Sequence, residues 1–211
     1  MTPVNSANTV GSRLPLVGAL ETLRGVRRDD EVIIPTMGSA REWMNLGPVH
    51  PLDFILVPSA MGHGTSIGLG LALAQPNRRV IVLSGDGSLL MNLGSLASIV
   101  ASRVTNLAIV LFDNGVYEVT GRQPTAGSAA GRSGKPGVDF GAIARACGFD
   151  TVLRFREATE WAQSARRILD GDGPTFITLD VEPVIGGVAP TSPGPTHSRA
   201  REFMQALGVK P

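Results

Sequence analysis

Two stretches of this chain are continuously apolar over a strand's length: Val80-Ile-Val-Leu83 and Leu107-Ala-Ile-Val-Leu-Phe112. Unbroken runs of this kind, rather than alternating ones, are expected of parallel strands covered on both faces. The segments 31–35, 54–57, 151–155 and 174–181 read as further strands. Helical spacing appears between them, over 14–25, 64–75, 88–102, 138–147 and, as an amphipathic helix, 157–169. A short helix is predicted over 39–46 with Ser39 as its cap, and a last one near 198–207. The 64–75 helix is rich in Gly, Ala and Leu, a composition that packs closely on a sheet or against a partner. The stretch 115–138 is Gly/Ser/Pro-rich without an apolar period. A loop of that length in a compact domain is usually functional or mobile. Alternating strands and helices predict an α/β fold, a doubly wound, mostly parallel sheet with helices on both faces. Residues 1–13 read as a flexible N-terminal arm, and 14–211 as a single domain with a C-terminal tail.

The chemistry sits where the two long apolar runs end. Gly85-Asp86-Gly87 closes the first and Asp113-Asn114 the second. The carboxyl edge of an open α/β sheet is where ligands bind. One crossover helix between adjacent strands brings Asp86 and Asn114 to one point. Two hard oxygens beside a helix N-terminus suit Mg²⁺ bound to a diphosphate.

Composition narrows the classes. A formal net charge of +1 gives no reason to invoke nucleic acid or an anionic membrane. A single cysteine, Cys147, cannot form an internal disulfide and reads as a small core residue. No apolar run approaches the length of a membrane span. The stretch 14–20, preceded by the one basic residue Arg13, makes a poor signal peptide, so a cytoplasmic location is expected.

The pair Gly-Asp-Gly and Asp-Asn resembles the Gly-Asp-Gly…Asn-Asn signature of thiamine diphosphate enzymes. The resemblance covers most of 32–183. Ser59-Ala-Met-Gly-His63 and the small-residue helix after it are similar to the block preceding the metal motif in acetolactate-synthase-type enzymes and 2-oxo acid decarboxylases. Gly87-Ser-Leu-Leu-Met-Asn-Leu-Gly-Ser-Leu-Ala97 and Thr120-Gly-Arg-Gln-Pro-Thr125 look most like sulfopyruvate decarboxylase β subunits and the matching half of phosphonopyruvate decarboxylases. Those β subunits carry only the diphosphate-binding (PP) domain.

The resemblance implies roles by position. Asp86, Asn114 and the Val116 carbonyl match the metal ligands, with Asp113 replacing the first asparagine. Met61 matches the apolar residue that props the cofactor in its V shape, against plain core packing as the alternative. The carbonyl of Ser59, followed by Ala60, falls where the family bonds the cofactor's amino group. Gly85, Gly87 and Ser88 open the helix facing the diphosphate, although Ser88 also suits a simple cap. The turn 36–42, with Ser39, approaches the diphosphate in the resembled decarboxylases; a lysine they often carry near the Gly38 position is absent. Arg41 suits an acidic substrate or the diphosphate, or a solvated helix face. His63 is placed for proton transfer, or for a structural bond at a helix start. Tyr117 lines the pocket or packs beneath the metal loop. Gln123 lies in the long loop, expected to close as a lid over substrate.

The implied activity is decarboxylation of a 2-oxo acid to an aldehyde, dependent on thiamine diphosphate and Mg²⁺. The family's activating glutamate lies on a pyrimidine-binding domain, and Glu21, Glu31, Glu42, Glu118, Glu157 and Glu160 have no such context. A partner α subunit, in a hetero-oligomer, is therefore expected to supply it. Carboligation of the acetolactate synthase kind shares every early step. A non-catalytic diphosphate-binding regulatory module is the reading from another class.

Overall fold

The computed structural model describes residues 13–55, 60–133, 135–188 and 191–209. Strand β1 (Leu14–Pro15) runs into α1 (Leu16–Val26), and β2 (Val32–Pro35) into α2 (Met37–Asn45). Helix α3 (Gly64–Ala74) leads to β3 (Val80–Gly85). Two short helices, α4 (Asp86–Leu90) and α5 (Gly94–Ala101), separate β3 from β4 (Leu107–Asp113). A small hairpin of β5 (Val116–Tyr117) and β6 (Gln123–Pro124) precedes α6 (Phe140–Cys147) and β7 (Thr151–Phe155). Then come α7 (Ala158–Asp170), β8 (Thr175–Glu182) and α8 (Thr196–Ala206).

The main sheet runs β2–β3–β4–β8. On the far side of β8, β7 pairs with its first residues and β1 with its last two. Every pairing in this sheet is parallel. Successive side chains of a strand point to opposite faces, and the continuous apolar runs fill both. Ile81 and Leu83 of β3, with Ala108 and Val110 of β4, join α1, Trp43 of α2 and Trp161 of α7 in one core. Val80 and Val82, with Leu107, Ile109 and Leu111, join α3, α5 and α6 in the other. The doubly wound sheet with helices on both faces is thus observed. Helix α3 lies so close to the sheet that a Cβ at Gly68 would stand 2.4 Å from a Val82 methyl.

Several local expectations are corrected. Leu14 and Pro15 are not helical but pair with Val181 and Glu182 of β8. Pro15, without an N–H, then serves as the N-cap of α1. The cap of α2 is Thr36, not Ser39. Ser39 sits at the third helical position, where its hydroxyl accepts the Thr36 N–H at 3.1 Å in a capping box. The single helix expected over 88–102 is two helices. At the break, the Ser95 hydroxyl donates to the Asn92 carbonyl (2.7 Å), and the Asn92 amide reaches away to the Gly62 carbonyl (3.0 Å). Such side-chain bonds compete with the helical ladder. The aperiodic 115–138 stretch contains the β5–β6 hairpin. Of the strand expected at 54–57, only its beginning lies within the described residues, next to a single bridge between Asp53 and Ile33. The arm expected over 1–13 lies outside them except for Arg13.

A buried polar knot holds the segment that leads into the 60–63 turn. Asp53 is completely buried. Its Oδ2 accepts from Trp43 Nε1 and from the His50 N–H, both at 2.9 Å, while Oδ1 pairs with Arg27 at 2.9 Å. Desolvation pulls the Arg27 pKa below its ordinary value despite Asp53, so this pair depends on its geometry. Asp53→Ala removes one partner and strands the rest. It is expected to cost about 3–5 kcal/mol in urea denaturation, with a smaller loss for Asp53→Asn. Equal stability of Asp53→Ala and the parent would contradict this role.

Candidate functional site

Strand register builds the site. Gly85 is paired with Phe112 across β3 and β4. The next residues, Asp86 and Asp113-Asn114, therefore leave neighbouring strands, about 4.8 Å apart, at one edge of the sheet. They open onto a pocket of about 70 Å³ whose lining includes Ser39, Met61, Gly85, Asp86, Gly87, Ser88, Asn114, Val116 and Tyr117. Nine residues named from sequence thus converge there. Ala60 precedes this group at φ +42° without lining the pocket. Ser59 lies outside the described residues.

The remaining three stand apart. His63 is exposed at the start of α3, with Nδ1 2.7 Å from the Met61 carbonyl. Gln123 turns back into its own hairpin, donating from Nε2 to the Thr120 carbonyl at 2.8 Å. Arg41 is buried in ion pairs with Glu42 and Glu118 and donates to the Val188 carbonyl at 2.8 Å.

Asp86 dominates the electrostatics. It is 1% exposed, and its Oδ2 accepts a bond from the Thr125 hydroxyl at 2.8 Å. Burial pushes its pKa from 3.8 up to about 7, and the like charge of Asp113 adds to the rise. Asp113 is itself raised, first by burial and then by Asp180. Asn114 is held at both ends of its amide. Its Oδ1 accepts the Val116 N–H at 2.9 Å, and its Nδ2 donates to Glu118 Oε1 at 2.8 Å. A buried carboxylate, a fixed carboxamide oxygen and nearby backbone carbonyls form a donor set suited to a hard divalent cation.

Tight backbone turns frame the pocket. Met37 (φ +52°) and Ala60 (φ +42°) occupy the left-handed region that non-glycine residues rarely adopt, an arrangement that clusters at functional sites. The Ser88 hydroxyl accepts the Gly62 N–H at 2.9 Å, fixing the Met61 turn against α4. Gly87 must be glycine because a Cβ there would lie 2.4 Å from the Tyr117 ring. Tyr117 therefore lines the pocket and packs against the start of α4.

Glu118 and Thr36, which line the pocket, and Thr125 and Arg13, which bond to its residues, carry no individual role in the sequence analysis. Glu118 has no sequence context that separates it from the other glutamates. Thr36 carried a signal, the Thr-x-x-Ser spacing at a helix start. Thr125 lies in an aperiodic stretch that gives no cue to its contact with Asp86. Arg13, which donates to the Asn114 carbonyl at 3.1 Å, had been placed in the arm.

Comparison with known proteins gives the family of the chain. The family described as thiamine pyrophosphate enzyme, C-terminal TPP binding domain, matches residues 36–179. Sulfopyruvate decarboxylase subunit beta of Methanothermobacter thermautotrophicus is 41% identical over 170 residues, covering 81% of this chain and 83% of that protein. Phosphonopyruvate decarboxylase of Streptomyces viridochromogenes is 38% identical over 168 residues, which make up 79% of this chain but 40% of that protein. Among solved structures, the thiamine diphosphate-dependent 4-hydroxybenzoylformate decarboxylase of Rhodococcus jostii RHA1 shares the fold. It gives a TM-score of 0.63 at 21% identity, covering 86% of this chain and 35% of that one. With a family match over most of its length and a relative this similar, the chain belongs to the thiamine pyrophosphate enzymes and is built on their C-terminal TPP-binding domain.

Proposed function

We propose that this chain is the diphosphate- and Mg²⁺-binding subunit of a thiamine diphosphate-dependent enzyme that decarboxylates a 2-oxo acid of the sulfopyruvate or phosphonopyruvate kind to an aldehyde. The observation that carries the reading is Asp86, buried with no cationic side chain beside it among the described residues, at the paired ends of β3 and β4 and sharing its pocket with Asn114. Asp86, Asn114 and the Val116 carbonyl would hold the metal. Gly85, Gly87 and Ser88, at the start of α4, and Ser39, at the start of α2, would flank the diphosphate. When bound, the cofactor supplies an electron sink for the carbanion left by decarboxylation.

The chain's own residues position and protonate. Met61, held by the Gly62–Ser88 bond, would support the cofactor between its two rings. If His63 donates its Nδ1 proton to the Met61 carbonyl, Nε2 is left to accept and return a proton. The ion pairs of Arg41 and its bond to the Val188 carbonyl take up its guanidinium and leave it turned away from substrate. Gln123 would act in the hairpin by shaping the pocket mouth.

A partner completes the site in this reading. The pocket holds about 70 Å³, well below the roughly 300–1,000 Å³ of clefts that bury a small ligand. Met61 is 39% exposed beside it, and Leu73 of α3 and Met91 are also exposed. Three relatives bear the name subunit beta. A pyrimidine-binding α subunit carrying the activating glutamate would cover this face in a cytoplasmic hetero-oligomer. Among the described residues no helix is long and apolar enough to cross a membrane.

Asp86→Asn keeps the shape and an acceptor for Thr125 but removes the charge. It is expected to abolish Mg²⁺-dependent thiamine diphosphate binding in calorimetry of the complete enzyme while leaving the denaturation midpoint of the metal-free protein at pH 7 unreduced. Undiminished binding would sink the metal assignment.

The pH dependence has a defined sign. A cation needs Asp86 deprotonated, so Mg²⁺ affinity is expected to fall about tenfold per pH unit below about 7 and to level off above it. The folded carboxyl holds its proton more tightly than the unfolded one at 3.8. The metal-free protein should therefore lose stability as pH rises from about 4 through 7, a loss that saturating Mg²⁺ reverses. Affinity independent of pH between 5 and 8 would contradict this account.

The isolated chain, assayed with thiamine diphosphate, Mg²⁺ and a panel of 2-oxo acids, is expected to give no aldehyde until the partner is added. Full activity alone would refute the need for a partner. Acetolactate-type products without aldehyde from the complex would favour carboligation.

A further inference from the structure

We infer that Glu118 is a positioning residue for the metal site, fixing the Asn114 carboxamide so that its oxygen, not its nitrogen, is presented to the cation. The inference rests on the metal-site reading above and deepens it. An asparagine amide is nearly symmetric in shape, and a half-turn exchanges the one atom that can ligate a metal for one that cannot. Something must therefore choose the orientation.

Glu118 makes that choice. It is 8% exposed and stands four residues beyond Asn114, just after β5. Its carboxylate is surrounded by donors. Oε1 accepts from Asn114 Nδ2 at 2.8 Å and from the Val184 N–H at 2.7 Å, and Oε2 pairs with Arg41 Nη2 at 3.3 Å. A carboxylate so placed can only accept, so the end of the Asn114 amide that faces it must be the NH₂. The other end, Oδ1, is turned to the Val116 N–H at 2.9 Å and keeps a second lone pair. Arg41 fixes Glu118 in turn, which gives that buried arginine a function that does not involve touching substrate. Groups that hold a metal ligand from behind typically change metal affinity 10–100-fold when altered.

The test is a Mg²⁺ titration, with thiamine diphosphate present and the partner subunit added, read by calorimetry rather than turnover. Glu118→Gln presents a donor as well as an acceptor to its three neighbours and no longer dictates the amide. It is expected to weaken Mg²⁺ binding by about 10–100-fold in the parent. In an Asn114→Asp background both ends of residue 114 are oxygens and no wrong orientation exists, so the same substitution should cost far less. If Glu118→Gln does not fold, Glu118→Asp, which keeps the charge but withdraws the oxygen, takes its place in both backgrounds. An equal loss in the two backgrounds, or no loss in the parent, would overturn the inference and assign Glu118 a purely structural role. Failure of the parent protein to bind Mg²⁺ at all would instead overturn the metal-site reading on which it stands.

Discussion

The site depends on one unfavourable fact, the burial of a carboxylate with no positive neighbour among the described residues to neutralise it. Asp86 sits at the end of a fully buried strand, bonded to a threonine hydroxyl and facing another acid, and it holds its proton up to about pH 7. Uncompensated burial of charge is costly, and a fold that retains such a group retains it for use. The rest of the pocket is arranged around that point. The parallel register of β3 and β4 brings Asn114 to it, Gly87 lets Tyr117 close beneath it, and the Ser88–Gly62 bond sets Met61 at its mouth.

The polar residues behind the pocket carry as much of the design as those lining it. Glu118 and Arg41 connect α2, the loop after β4 and the segment after β8 into one buried network. Asp53 does the same for α1, α2 and the segment leading to the 60–63 turn. Both networks place charges where an apolar core would be cheaper, and both fix the position of backbone that borders the pocket. This rigidity fits a domain whose task is to hold a charged group in one place while chemistry proceeds at an exposed edge.

The sheet and the principal site residues were legible in the sequence for physical reasons. Strands buried on both faces must be continuously apolar, so β3 and β4 announced themselves, and a turn at the carboxyl end of such a strand points at a ligand. What was not legible depends on contacts between residues distant in sequence. Thr125 meets Asp86 across thirty-nine positions and Arg41 meets Glu118 across seventy-seven, with no period or propensity to mark either pair. The break near Asn92 arose from side-chain bonds to Gly62 that override a sound helical pattern. Leu14 and Pro15 became a strand because β8 extends past β7 and leaves an edge for them to pair with.

The most direct measurement is the position of the metal itself. Crystals of the chain with its partner, grown with thiamine diphosphate and Mn²⁺ in place of Mg²⁺, would locate the ion by its anomalous scattering. The account predicts one peak within coordination distance of an Asp86 carboxylate oxygen, Asn114 Oδ1 and the Val116 carbonyl. Bound cofactor with the ion elsewhere would contradict it.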